Sequence, residues 1–312
     1  MALNYAEKWQ PELIDILIQG TLTSPFITTN VRWLDAKTFH FTQMSTSGYK
    51  EHSRQGGWNR GTYSQTDVPF TVTHDRDVEF LVDKADVDET NKTASIQNIT
   101  EVFISTRQVP ETDAYFFSKV AALAKTANLS TSTALSGYTK ENVFSKIKQA
   151  IGHAKLRRYK QGGGLICYVR TELMDLLELS SEFTSTVNLS QVASGGRSIE
   201  TRVTSIDGVS ILEVIDIDRF CDKFEFTNGF APAADSHYIN ILVATPRTTF
   251  TVPKIASIYT FAPGEHTQGD GWLYQNRAYW DTFVMPNGVD GKVDSIYADV
   301  DTATVTSEDD GG

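Results

Sequence analysis

Six histidines, at positions 40, 52, 74, 153, 237 and 266, are the side chains best suited to proton transfer or metal ligation near neutral pH. No two are four residues apart and no HExxH occurs, so no helix face presents two imidazoles to one zinc ion. A GxSxG elbow for an activated serine is also missing. Asp86, Asp88 and Thr90 begin like a calcium loop, but Gln97 stands where the ion needs a bidentate glutamate. That stretch reads as a solvated acidic connector. The triple glycine 162–164 precedes a strand, whereas a phosphate cradle follows a strand and opens a helix, so it reads as a flexible connector. Glu111 and Asp113 lack an obvious carboxylate partner and suit a cap or an ion pair better than general acid/base work. Lys155, Arg157, Arg158 and Lys160 cluster at a helix C-terminus, where the helix dipole favours cations; subunit or DNA contact is the alternative reading. No catalytic residue, metal ligand or cofactor-binding residue is assigned.

Composition narrows the partners. The chain has 312 residues, 40% hydrophobic and 21% charged, enough for a sizeable core and room for two domains. Its 39 acidic and 28 basic residues give a formal net charge of −11, which argues against broad electrostatic adhesion to nucleic acid. Cys167 and Cys221 have neither redox nor zinc spacing and read as small buried hydrophobes in a reduced compartment. The polar N-terminus lacks a signal-like apolar run, and no window approaches the roughly 18 apolar residues of a spanning helix, so a soluble chain with no membrane partner is expected.

The elements are mixed α and β. Residues 31–44 end in the alternation Phe39-His40-Phe41, and 68–83 place Val68, Phe70, Val72, Val78, Phe80 and Val82 on one parity. Read as one strand, 68–83 would run roughly 50 Å, against a radius of gyration of roughly 20 Å for a chain of this size. His74 and Arg76 interrupt its apolar face, as expected of an arm partly free of its own core. Between these strands lies SGYKEHSRQGGWNRGTYSQTD, residues 47–67, too long, polar and glycine-rich for a simple turn. A helix with a break or kink at Pro110 is predicted from Ile96, Ile99 and Phe103 through Ala114, Phe117, Ala121 and Ala124. A second helix is expected over 139–158 with Val143, Ile147, Ile151 and Ala154 inward, and a third after strand LICYV, capped by Thr171. Asp207-Gly208 marks a hairpin, and HYINILVATP, KIASIYTF and NRAYWDTFVM read as strands. The tail from Ser307 has no core-forming residues.

The order of these features resembles the major capsid proteins of tailed double-stranded DNA bacteriophages, with the Hong Kong 97-type fold, particularly those of long-tailed phages of Gram-positive bacteria. ALNYAEKW is similar to their N-terminal arm, and GGWNRGTYSQTDVPFTVTHDRDVEFLVDKADVDET to the tip and returning strand of their extended loop, with Asp75-Arg76 as its Asp-Arg pair. RQVPETDAYFFSKVAALA resembles the long spine helix, RVTSIDGVSILEVIDIDRF the axial-domain hairpin, and NRAYWDTFVMPNGVDGKVDSIYA the last peripheral-domain strands.

The resemblance implies an α+β fold: an N-terminal arm (1–30), an extended-loop hairpin (31–86), a peripheral domain with the kinked spine helix (87–129), an axial α/β domain (130–256), peripheral return strands (257–306) and a disordered tail (307–312). It implies a structural role and no enzymatic one: self-assembly into hexamers and pentamers of an icosahedral shell that encloses the genome without specific DNA binding. Assembly in the host cytoplasm, a procapsid that expands, a portal, decoration proteins and a separate scaffolding protein are implied with it, the last because family-like sequence begins at once. Lys50, His52, Arg54, Trp58, Arg60 and Tyr63 become contact residues between subunits; Lys50 lies in the loop whose lysine some members cross-link to a neighbour's asparagine, a reaction that would need a nearby carboxylate and a dry pocket on the neighbour. Two other readings are an encapsulin-type shell and a carbohydrate-binding or hydrolytic protein. The second would need clustered aromatics beside paired carboxylates, and the tryptophans at 9, 33, 58, 272 and 280 are scattered.

Overall fold

The run HYINILVA has no polar alternation after its first residues, as expected of a strand covered on both faces. In the computed structural model, which describes residues 20–28, 33, 37–52, 56, 58–83, 96–153, 156–160, 164–180, 203–288 and 291–305, it occupies the interior of a six-stranded mixed sheet. In spatial order the strands are β4 (Ser130–Ser132), β13 (Ile296–Thr304), β10 (His237–Ala244), β5 (Ile166–Arg170), β7 (Val209–Val214) and β6 (Val203–Ile206). One face packs Cys167, Val169, Ile211 and Val243 against Val143 and Ile147 of helix α3 (Val143–Ile151) and Leu173 and Leu177 of α4 (Thr171–Glu178). The other face packs Tyr168, Leu242 and Ala298 against Phe116, Phe117 and Val120 of α2 (Val109–Thr126). A register shift between Ile239 and Ile241 sends these two side chains to opposite faces. The β6–β7 turn has positive φ at both central residues, 53° at Asp207 and 76° at Gly208, the primed turn that the Asp-Gly pair favours.

Helix α1 (Ile96–Phe103) continues through a π-helical turn, Ile104–Gln108, into α2. Pro110 has no N–H for the helical ladder and its ring crowds the preceding turn; the wider π turn absorbs both effects, so the break expected there takes this form. Thr106 Oγ1 donates to the Val102 carbonyl at 2.6 Å, occupying an acceptor that the turn loosens. Ile104 and Val109 pack with Val82, Ile258 and Tyr274 of a three-stranded antiparallel sheet of β11 (Thr249–Phe261), β12 (Gly271–Val284) and β3 (His74–Asp83).

Several expectations change here. Residues 68–83 are two strands: β2 (Tyr63–Thr71) pairs with β1 (Thr38–Thr46), whereas β3 pairs with β12 in another sheet. The break is chemical. Thr73 N and Oγ1 both donate to Asp281 Oδ2, at 3.0 and 2.8 Å, so the buried carboxylate takes donors at the crossing between sheets. His74 and Arg76 do not mark a free arm; both dock on α2, as described below. Helix α3 stops at Ile151 because Gly152 ends it, and Leu156–Tyr159 form a separate 3-10 turn. Thr171 does not cap α4: its hydroxyl donates to the Val214 carbonyl, and Arg170 holds the N-cap position. The segment 257–306 divides, with β13 in the six-stranded sheet and β12 in the three-stranded one. Both cysteines are buried free thiols. Residues 1–19 of the expected arm 1–30, residues 86–95 of the acidic connector and the tail 307–312 lie outside the described residues.

Candidate functional site: the hairpin, its root and its clasp

The β1–β2 hairpin runs from a buried root to an exposed tip. At the root, Phe39 is 0% exposed and sits 5.2 Å from Phe283 edge-on and 5.6 Å from Phe70 in a stacked pair. Phe41, Val72, Phe250, Val252 and Tyr279 complete the cluster. Each well-placed aromatic pair adds about 0.5–1.5 kcal/mol beyond simple burial, so the root fixes the hairpin's direction of exit. Tyr279 OH donates to the Val72 carbonyl at 2.6 Å, and halfway along Gln43 Nε2 donates to the Pro286 carbonyl at 2.6 Å.

Beyond Gln43 the hairpin holds itself. Ser45 and Ser64 hydroxyls share a bond of 2.7 Å, Ser47 N donates to the Thr62 carbonyl at 2.8 Å, and Thr62 N donates to Ser47 Oγ at 2.9 Å. Asn59 Nδ2 donates to the Glu51 carbonyl at 2.8 Å and Lys50 Nζ to the Arg60 carbonyl at 3.3 Å, closing the tip across its own width. The His52 and Trp58 rings lie 6.5 Å apart.

Of the residues singled out from sequence, Lys50, His52, Trp58, Arg60 and Tyr63 are all exposed in this distal half, and Arg54 lies outside the described residues. Trp58 is 96% exposed, Tyr63 77% and Met44 64%, with Tyr49 fully exposed. Sequence reasoning missed Tyr49 and Met44. The signal for Tyr49 was an aromatic beside Gly48 in a polar loop; Met44 required knowing which strand face lacks a neighbour. The tip combines large apolar groups with the cations Lys50 and Arg60, in a chain of net charge −11. Aromatic and cationic side chains of these types are enriched at protein interfaces.

Below the root, α2 clasps the chain on two sides. Arg76 Nε donates to Glu111 Oε1 at 2.7 Å, Nη2 to the Gly229 carbonyl at 3.0 Å, and Nη1 to the Phe226 carbonyl. His74 stacks on Tyr115 at 4.0 Å and places Nε2 3.7 Å from Glu111 Oε1. Burial alone would raise the Glu111 pKa, but the nearby His74 imidazole and the bond and charge of Arg76 outweigh it and hold the carboxyl below its ordinary range. Tyr115 OH donates to Asp281 Oδ1 at 2.7 Å, and burial, then that carboxylate, push its pKa well above the usual phenol value. Two residues from Glu111, Asp113 is fully buried and accepts from Leu22 N, Thr23 N and Thr23 Oγ1, and from Arg219 Nη1 at 3.2 Å. Burial raises its pKa despite those donors. Glu111 and Asp113 are therefore ion-pair partners that tie β3 and the segment after Gly20 to one helix.

Among the described residues no group of three or more His, Cys, Asp or Glu side chains could hold a metal ion, and no helix is long and apolar enough to cross a membrane.

The chain is similar in structure to the mature capsid of bacteriophage PhiM1, with a TM-score of 0.62 and 15% identity over 91% of this chain and 88% of that one. The capsid of cyanophage P-SCSP1u gives 0.58 and 11% over 91% and 89%, and a structure of Mycobacterium phage Che8 gives 0.55 and 15% over 89% and 90%. No protein-family model and no curated protein matches the sequence. The likeness is one of fold: the chain has the Hong Kong 97-type architecture of these phage capsids.

Proposed function

We propose that this chain is a structural shell subunit, the major capsid protein of a tailed phage, whose copies form hexamers and pentamers of an icosahedral shell around double-stranded DNA. The observation that carries this reading is the hairpin: a root buried among aromatics and a self-bonded tip that exposes Tyr49, Trp58 and Tyr63 with no own core beneath them. A two-stranded hairpin is marginal in water, and one so exposed gains most by lying on another subunit. The contact residues are then Lys50, His52, Arg54, Trp58, Arg60 and Tyr63. Lys50 orders the tip through the Arg60 carbonyl. On this reading the chain works by assembly and not by catalysis, resides in the virion, and uses a separate scaffolding protein, a portal and decoration proteins during head construction. The division into arm, extended loop, peripheral and axial domains is part of the same proposal.

Replacing residues 47–62 by an Asn-Gly turn tests it. The subunit should stay folded and soluble while negative-stain microscopy shows no closed particles. Normal particles from this deletion would overturn the assignment of the hairpin, and parent particles that carry protein cargo in place of nuclease-protected DNA would favour an encapsulin-type shell.

A further inference from the structure

The hairpin leaves unused the basic run 140–160, which carries Lys140, Lys146, Lys148, Lys155, Arg157, Arg158 and Lys160 against Glu141 alone. The fold draws part of it together. The end of α3 and the turn Leu156–Tyr159 bring Lys148, Arg157 and Lys160, with Gln149 and Gly152, around an open cavity closed on one side by Asp207 in the β6–β7 turn. Lys148 Nζ and Lys160 Nζ lie 3.7 and 3.9 Å from the same Asp207 oxygen, with side-chain exposures of 45%, 36% and 47% for the three residues. Pairs this exposed are weak, and one carboxylate cannot neutralise two ammonium groups. Arg157 lies against the backbone of Gly152, where an added Cβ would meet its Nε and Nη2 at 2.9 Å, so glycine keeps the guanidinium on the helix end. Arg157 and Arg158 are exposed and meet no carboxylate among the described residues. The helix dipole accounts for cations in the last turn only, and Arg158 and Lys160 lie beyond it.

What partner fits follows from what the patch lacks. The large exposed hydrophobics of the described chain include Trp58, Tyr63 and Leu81, and none lies in 140–160 or at the Asp207 turn. Protein interfaces need an apolar centre, which the hairpin tip has and this patch does not. Positive charge without one suits a phosphate backbone, which is bound through its charge and without base readout.

We propose that Lys148, Arg157, Arg158 and Lys160 form a sequence-independent contact for the phosphates of double-stranded DNA, with Asp207 as the internal anion that competes for it. This rests on the reading of the chain as a shell around DNA. The test uses the unassembled full-length subunit and a short fluorescent duplex, read by anisotropy against salt. With about four phosphate contacts, affinity should fall on the order of 100-fold between about 50 and about 200 mM salt. Lys148→Glu with Arg158→Glu and Lys160→Glu should lose at least about tenfold in affinity and flatten the salt slope, because each contact contributes to both. Lys148→Gln with Lys160→Gln, which cannot repel Asp207, should lose less in the same direction. Asp207→Asn should bind several-fold tighter, since asparagine tolerates the positive φ and removes the competitor. Failure of the parent to bind, or identical affinity and slope in all variants, overturns the proposal. Tighter binding of polyglutamate than of duplex would assign the patch to an acidic protein segment instead. Shell formation, scored separately by microscopy, reports on the capsid reading: a parent that binds duplex but forms no shells sinks that reading and leaves the patch standing.

Discussion

The six-stranded sheet and the β1–β2 hairpin are both built from alternating or apolar strand sequence, yet they spend their side chains differently. In the sheet, helices cover both faces and every side chain from Ile239 to Ala244 is buried within the chain. In the hairpin, burial declines from Phe39 at one end to full exposure at Tyr49, and among the described residues the distal bonds run within the hairpin itself. The sheet closes the subunit's core. The hairpin leaves its large apolar side chains exposed.

Three substitutions break or sharpen that contrast, in falling order of effect on the isolated subunit. Phe116→Ala removes a fully buried ring packed 4.7 Å from Phe26 on the sheet side of α2, and should cost about 3–5 kcal/mol in chemical denaturation. A cost under about 1 kcal/mol would mean that this face is not the core.

Glu111→Gln, in the clasp that holds β3 on α2, should cost about 1–3 kcal/mol at neutral pH. Because the folded Glu111 pKa lies below its ordinary value of 4.5, its stabilisation is present above the unfolded-state pKa and is lost as the pH falls through the lowered folded value. Stability curves of parent and variant should therefore converge on acidification, and a constant difference at all pH values would contradict the ion-pair account.

Trp58→Ala should leave subunit stability within about 0.5 kcal/mol, since the ring is 96% exposed, yet lower the melting temperature of assembled particles. Unchanged particles would remove Trp58 from the interface.

Much of this contrast is legible in the chain itself. Phe39-His40-Phe41 and Val68-Pro69-Phe70 show a strand pair with one apolar face, the Asp207-Gly208 turn is written in two residues, and Pro110 marks the helix break. These are local effects, decided by φ preference, missing donors and side-chain period. The division of 68–83 into two strands was not legible, because the apolar parity of Val68, Phe70 and Val72 resumes in the same phase at Val78, Phe80 and Val82 beyond His74 and Arg76. The residue that ends β2, Asp281, lies over 200 positions away. The docking of His74 and Arg76 was hidden for the same reason: Glu111 and the carbonyls of Phe226 and Gly229 are remote in sequence.

By itself the sequence determined the element types, the exposed chemistry of the 47–67 loop and the net acidity, since each depends on residue type and near neighbours. Only the tertiary structure decided which strands share a sheet, that α2 holds β3 and the segment after Gly20 through adjacent carboxylates, and that Lys148, Arg157 and Lys160 meet around Asp207. Those outcomes depend on long-range pairing and on burial that changes what a charge costs, and neither is written in local order.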